Sequence, residues 1–129
     1  MCCKQWLMFP QMKQHLRSLQ ERIFWLSCDG WSSRNKISYF ALLLNYVTNS
    51  TPVSWILCVQ QESDHTAEHL AGETRETLKA WDVLLSEIQG LVADNTNSMP
   101  AMARELGVPF QGCAAHKLNL VIKHSIEVW

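Results

Sequence analysis

Between Lys36 and Val59 the chain carries two apolar runs separated by four polar residues, and no other feature constrains the fold as much. In the first run, residues 36–47, Tyr39, Ala41 and Leu43 fall on one side of an extended backbone, and Phe40, Leu42 and Leu44 on the other. Side chains alternate across a strand. Both faces are therefore apolar, and the strand is expected inside a sheet. Thr48, Asn49, Ser50 and Thr51 read as a turn, and residues 52–59 as the next strand, with Val53, Trp55, Leu57 and Val59 alternating. Before them, residues 23–28 read as a strand that stops at the turn signal Asp29-Gly30. Such short connections pair consecutive strands antiparallel.

After residue 62 the period changes from two to that of a helix. Ala67, Leu70, Ala71, Thr74, Leu78 and Trp81 recur at helical spacing, with Ser63 or Asp64 as the expected cap. Gly72 inside that stretch costs about 1 kcal/mol relative to Ala. Residues 88–93 read as a fourth strand ending at Asp94-Asn95. Ser98 is expected to cap a helix with Pro100 in its first turn and Gly107 after its end. Residues 110–113 read as a short fifth strand and 117–128 as an amphipathic helix. A further helix, residues 6–22 with Pro10 near its start, precedes everything else. The expected organisation is an N-terminal helical segment, residues 1–22, and a unit of residues 23–129. That unit is an α/β fold: three antiparallel strands followed by βαβ connections, with helices on both faces of a mixed sheet.

Composition removes several classes of function. Of the 129 residues, 47% are hydrophobic and 18% charged, so the chain can bury a core and is not disordered by composition. No apolar run reaches the roughly 18 residues of a membrane span. The net charge of -1 lacks the basic excess with which proteins neutralise DNA phosphates. The five cysteines are odd in number and irregular in spacing, which favours a reducing compartment over a disulfide framework. There is no G-x-G-x-x-G and no Walker-type loop, so nothing supports a nucleotide cofactor.

Two acids have the placement that chemistry needs. Asp29 is expected to leave the first strand and Asp94 the fourth. If those strands are parallel neighbours, the carboxylates meet at the carboxyl edge of the sheet, where α/β proteins put their sites. Paired carboxylates there can hold divalent metal ions for phosphoryl chemistry. The plain alternative is that both are turn and cap residues, since Asp-Gly and Asp-Asn are ordinary turn chemistry. Cys113-Ala114-Ala115-His116 has zinc-like internal spacing but no second ligand pair, and structural zinc needs four ligands. His65-Thr66-Ala67-Glu68-His69 sets two histidines four apart, but its glutamate is misplaced for H-E-x-x-H, and a solvated helical turn is the expected role. Most of the six tryptophans are expected in the core. Trp31, directly after Asp29-Gly30, is the one beside the candidate site.

Four segments in order resemble the hAT superfamily of DNA transposases and the domesticated BED-zinc-finger proteins related to it. Ser27-Cys28-Asp29-Gly30-Trp31-Ser32-Ser33 is similar to the family's strand ending in Asp-Gly-Trp-Thr/Ser-Ser. His65-Thr66-Ala67-Glu68-His69-Leu70 resembles His-Thr-Ala-Glu-Asn-Ile, with Trp81 near the helix end. Val92-Ala93-Asp94-Asn95-Thr96-Asn97-Ser98-Met99 resembles Val-Thr-Asp-Asn-Ala-Ser-Asn-Met. Cys113-Ala114-Ala115-His116-Lys117-Leu118-Asn119-Leu120-Val121 resembles Cys-x-x-His-Thr-Leu-Asn-Leu-Val. The chain departs from the pattern at His69 (Asn in the family), Ala93 (Thr), Ser98 (Asn) and Lys117 (Thr).

The resemblance implies the front half of a ribonuclease-H-like transposase domain, whose fold has the element order read above. It implies that Asp29 and Asp94 are the first two catalytic carboxylates and ligands of Mg²⁺ or Mn²⁺. It places Cys113, His116 and Trp31 near the DNA, with transposon ends as the partner. It further implies a nuclear location, although no Lys/Arg cluster of import type is present, and homo-oligomers only in full-length relatives. The family's third acid, a Glu beyond a large helical insertion, its BED finger and its dimerisation region have no counterpart here. A fragment inactive by itself is therefore expected; alternatively, the chain belongs to a longer active transposase or to a domesticated DNA- or protein-binding module.

Overall fold

The apolar alternation of residues 36–59 becomes a long β-hairpin. In a computed structural model, which describes residues 10–114 apart from Asn95 and Asn97, strand β2 (Ser38–Thr48) pairs antiparallel with β3 (Thr51–Gln61). Asn49 (φ 50°) and Ser50 (φ 61°) are both left-handed. That is the two-residue turn whose twist matches the strands it joins, and Asn tolerates its backbone without Gly. A bulge between Leu42 and Leu43 sets Leu57 as an extra residue of β3, buried at 1% exposure.

Strand β1 (Phe24–Ser32) pairs antiparallel with β2 as far as Ser32↔Ser38. It runs through Asp29 and Gly30, which oppose Ala41 and Phe40. The expected stop at Asp29-Gly30 is thus corrected: the ladder to β2 continues past it. Gly30 has no positive φ, and the real reversal lies at residues 33–37, where Lys36 takes φ 60°.

Helix α2 (Ala67–Ala80) crosses from the hairpin to β4 (Ile88–Ala93), through a short 3₁₀ turn at Leu85–Glu87. Its cap is Thr66, whose hydroxyl accepts from the His69 N–H, rather than Ser63 or Asp64. Asp64 is already engaged, since its carboxylate accepts from the Thr66 N–H. At the other end Val83 N–H reaches Leu78 O at 2.9 Å and Asp82 N–H reaches Lys79 O at 3.2 Å, with Asp82 left-handed. The same closing motif ends α3 (Ser98–Leu106), with Gly107 at φ 73° in the left-handed place. Ser98 lies within α3 instead of capping it.

Strand β4 runs parallel to β1, in register at Leu26↔Leu91 and Ser27↔Val92, and β5 (Phe110–Gly112) runs parallel to β4. The sheet order is β3-β2-β1-β4-β5. The chain is an α/β fold with a five-stranded mixed sheet: three antiparallel strands, then parallel βαβ crossovers. Gly90 lets β4 pass under Trp25, because a Cβ there would lie 2.5 Å from the indole Cζ3.

Alternation sorts the sheet into two unlike faces. Phe24, Leu26, Cys28, Phe40, Leu42, Leu44, Tyr46, Leu91 and Ala93 face the core. Over them lie α2, through Leu70, Ala71, Thr74 and Leu78, and α3, through Met99, Met102, Ala103 and Leu106. Trp81 is 1% exposed and donates its indole N–H to Leu57 O. Helix α1 (Pro10–Ser18) adds Leu16 to the same core, and its His15 meets the Tyr46 hydroxyl at 3.1 Å. Helix α1 stops short of the expected Arg22, whose guanidinium instead donates to Leu16 O and pairs with Glu87.

The other face carries Trp25, Ser27, Asp29 and Trp31 of β1 beside Tyr39, Ala41, Leu43 and Asn45 of β2. Helices were expected on both faces. Among the described residues all three pack on one, and the helix expected at 117–128 lies outside those described. Trp25, Trp31, Val47, Ile56 and Val59 are accordingly exposed.

Candidate functional site

Asp29 reaches the face opposite α1, α2 and α3 because it is an odd-phase residue of β1, two along from Ser27. Asp94 is the first residue beyond β4. The last parallel pair is Ser27↔Val92, two residues before each acid, so β1 and β4 carry Asp29 and Asp94 toward the same edge of the sheet. Neighbouring strands lie about 4.8 Å apart. Both residues line one hollow of about 380 Å³, whose wall also includes Ser27, Leu43, Val92 and Cys113. The two acids are therefore delivered to the same side of the same sheet edge, although Asp29 sits inside its strand and not at the end of it.

Electrostatics agree with this placement. Burial pushes the Cys28 thiol up to about 12, and the negative charges of Asp94 and then Asp29 add to that shift. The thiol stays protonated, in contact with Met99 Sδ at 3.5 Å on the core side. Cys28 is thus a small apolar wall and not a nucleophile.

Asp94 is oriented by Thr96. Its Oδ1 accepts the Thr96 hydroxyl at 2.9 Å and the Thr96 N–H at 3.3 Å. This side-chain turn is the ordinary behaviour of Asp in a loop, so the cap reading of Asp94 and the ligand reading describe the same residue. Asp94 also lines a second hollow, of about 160 Å³, with Gly30, Trp31, Ser32, His65, Thr96 and Met99. Trp31 is 42% exposed and stacks on Tyr39 with ring centres 5.6 Å apart.

Of the other residues singled out by sequence, Cys113 lines the larger hollow, and its N–H donates to Ala93 O at 2.7 Å, prolonging the β4–β5 ladder. His116 lies outside the described residues. The sequence reading missed His65, Ser32 and Thr96. His65 and His69 were expected to share a solvated turn. His65 is exposed, as that reading has it, and also borders the hollow beside Asp94; His69 is partly covered and turns to Glu62, with Nε2 3.0 Å from its carboxylate. Thr96 could have been found from its place two residues after an Asp, the spacing of a side-chain turn.

The donor set fits one hard cation with protein oxygens from Asp29 and Asp94. Mg²⁺ commonly takes one or two carboxylates and completes its shell with water and phosphate oxygens. Among the described residues no group of three or more His, Cys, Asp or Glu is arranged to hold a metal. A fuller, two-metal arrangement therefore has no basis in those residues. No protein-family model matches the chain, and no curated protein matches it.

Proposed function

We propose that this chain is a transposase-derived, ribonuclease-H-like unit of the hAT kind, in which Asp29 and Asp94 are an inherited pair of metal-binding carboxylates. The observation that carries the reading is the parallel register of β1 and β4, with both acids lining one hollow. The strand order and the mix of antiparallel and parallel pairs are compatible with it.

In this reading Asp29 and Asp94 hold Mg²⁺ or Mn²⁺ against a phosphate of a DNA strand, in the nucleus. The bound cation polarises the phosphoryl oxygens and lowers the pKa of attached water. The chain's own contribution is to fix one carboxylate in a strand and to orient the other through Thr96. The family's third acid is not grouped with this pair among the described residues, so in this reading the chain by itself binds metal without cutting DNA. Transposon ends and homo-oligomers belong to the full-length relatives this reading invokes.

Mn²⁺ titration followed by water-proton relaxation tests the proposal. One weak Mn²⁺ site is expected, lost in Asp94→Asn and in Asp29→Asn, with no DNA strand cleavage in Mg²⁺ or Mn²⁺. A parent chain that takes up no Mn²⁺ at millimolar concentration would remove the metal reading. Metal-dependent strand cleavage abolished by Asp94→Asn would remove the claim of inactivity.

A second reading, a domesticated module that makes protein or weak DNA contacts, is favoured by a different observation. Trp25, Ile56, Val47 and Val59 are exposed on the face opposite α1, α2 and α3, and clustered exposed apolar groups mark contact surfaces.

A further inference from the structure

Helix α1 is nine residues long. A helix so short is marginal in water, so its structure depends on what holds it to the rest of the molecule. Its apolar hold is narrow. Leu16 is buried in the core and Met12 lies partly covered against it, while Gln11, Gln14, Arg17 and Ser18 are exposed.

Its polar hold is concentrated on one segment. The charged side chains of α1, Lys13 and Arg17, are both positive, and both meet the carboxylate of Asp82, just past the end of α2. Lys13 Nζ lies 3.3 Å from it. Such surface pairs are individually weak and are screened by salt. Arg22, beyond the end of α1, is more deeply engaged. Its guanidinium lies 5.5 Å from the centre of the Phe24 ring. It donates to Leu16 O, to Asp82 O at 2.9 Å and to the Glu87 carboxylate at 3.2 Å. Arg22 therefore grips the last turn of α1 on one side and the segment before β4 on the other.

Removing α1 strands no buried polar group that the fold would miss. The Tyr46 hydroxyl lies 3.1 Å from His15 Nε2, but it also accepts the Trp55 indole N–H at 2.7 Å. It keeps that partner when His15 leaves. Arg22 likewise keeps Glu87. The penalty for an orphaned buried donor or acceptor, which ties most core elements together, does not bind α1.

We propose that α1 is a strap that lifts from the core as one unit, ahead of global unfolding, with Asp82 as its latch and Arg22 as the pin of its hinge. Lifting withdraws Leu16 and bares Tyr46 and Trp55 near the start of β1, at the end of the strand away from Asp29. Because the latch is a set of exposed ion pairs, ionic strength sets how often that aromatic end is uncovered.

Native-state hydrogen exchange of the full chain, followed by NMR across a urea series, tests the proposal. The N–H groups of residues 14–18 are expected to share a single opening. That opening should be at least about tenfold more populated than the one that exposes the Leu26, Leu42 and Leu91 N–H groups. It should also depend less on urea, because it exposes less surface. Raising NaCl from about 20 mM to about 500 mM should speed exchange at 14–18 about threefold in the parent and hardly at all in Asp82→Asn. Asp82 has φ 56°, a backbone that Asn also tolerates, so this variant removes the charge and little else. Arg22→Gln should speed the same exchange about tenfold.

Exchange at 14–18 with the rate and urea dependence of the sheet overturns the proposal, since α1 then leaves only with the whole fold. Protection that declines residue by residue toward Pro10 overturns it as well, because that is fraying and not a strap. An equal salt response in the parent and in Asp82→Asn overturns it by taking the latch away.

Discussion

Glu62 is a carboxylate at 5% exposure, in a segment that turns from β3 into α2. Its oxygens accept from Gln60 Nε2 at 3.1 Å, from the Asp64 N–H at 3.1 Å and from His69 Nε2 at 3.0 Å. A buried carboxylate costs stability unless its charge is met, and among these partners only His69 can bring a positive charge. The hydrogen bond to Glu62 raises the His69 pKa, against the opposing effect of burial, and the charges of Glu62, Asp64 and Glu73 raise it further. Because the folded value lies above the unfolded one, the pair's full contribution is present below about pH 6.5, the ordinary histidine value. It is lost as pH rises through the higher folded value. The urea midpoint of the parent should therefore fall with rising pH across that window, while His69→Gln, which cannot titrate, stays level. Parallel profiles for the two proteins would show that the imidazolium does not stabilise the fold.

The helix that this pair anchors begins at Thr66, and elements are where sequence and structure part most instructively. Thr66→Ala should cost about 0.5–2 kcal/mol by removing the acceptor for the His69 N–H. Ser63→Ala should cost little, and thermal unfolding of the two variants distinguishes them. Equal losses would return the cap to the earlier position. Period was legible: the two-residue alternation of β2 and the helical recurrence of Leu70, Ala71, Thr74, Leu78 and Trp81 match the burial found, whereas the alternation of β3 holds only as far as Leu57, because the bulge there turns Val59 to the exposed face. Strand β4 matched the sequence reading end to end. Punctuation was less legible. Asp29-Gly30 has the composition of a turn, but eight paired positions along β1 and β2 carry the chain through it. Long-range hydrogen bonding of this kind outweighs a dipeptide preference and leaves no local trace. The site was half legible for the same reason. Asp29 and Asp94 could be named from the expected strand ends, although Asp29 lies inside its strand, whereas Ser32 and His65 reach their hollow only through tertiary placement.

Taken whole, the described part of the molecule is a sheet with one covered face and one bearing its acids. Ile56 is 57% exposed and Val47 67% exposed on that second face. Replacing exposed apolar groups changes stability little, usually within about 0.5 kcal/mol, but it changes how molecules meet each other. The pair Ile56→Lys with Val47→Thr should leave the unfolding midpoint almost unmoved and reduce concentration-dependent light scattering. A large loss of stability would mean that these side chains are packed rather than bare. Asp29 lies within a β1–β2 ladder that continues three residues past it, whereas Asp94 is one residue off the end of β4, secured through Thr96. Mg²⁺ demands oxygens at about 2.0–2.1 Å and Ca²⁺ at about 2.3–2.6 Å. If Asp29 and Asp94 hold a cation as proposed, adjustment to ionic radius would come from the Asp94 side, which would make it, and not the strand opposite, the part that discriminates one cation from another.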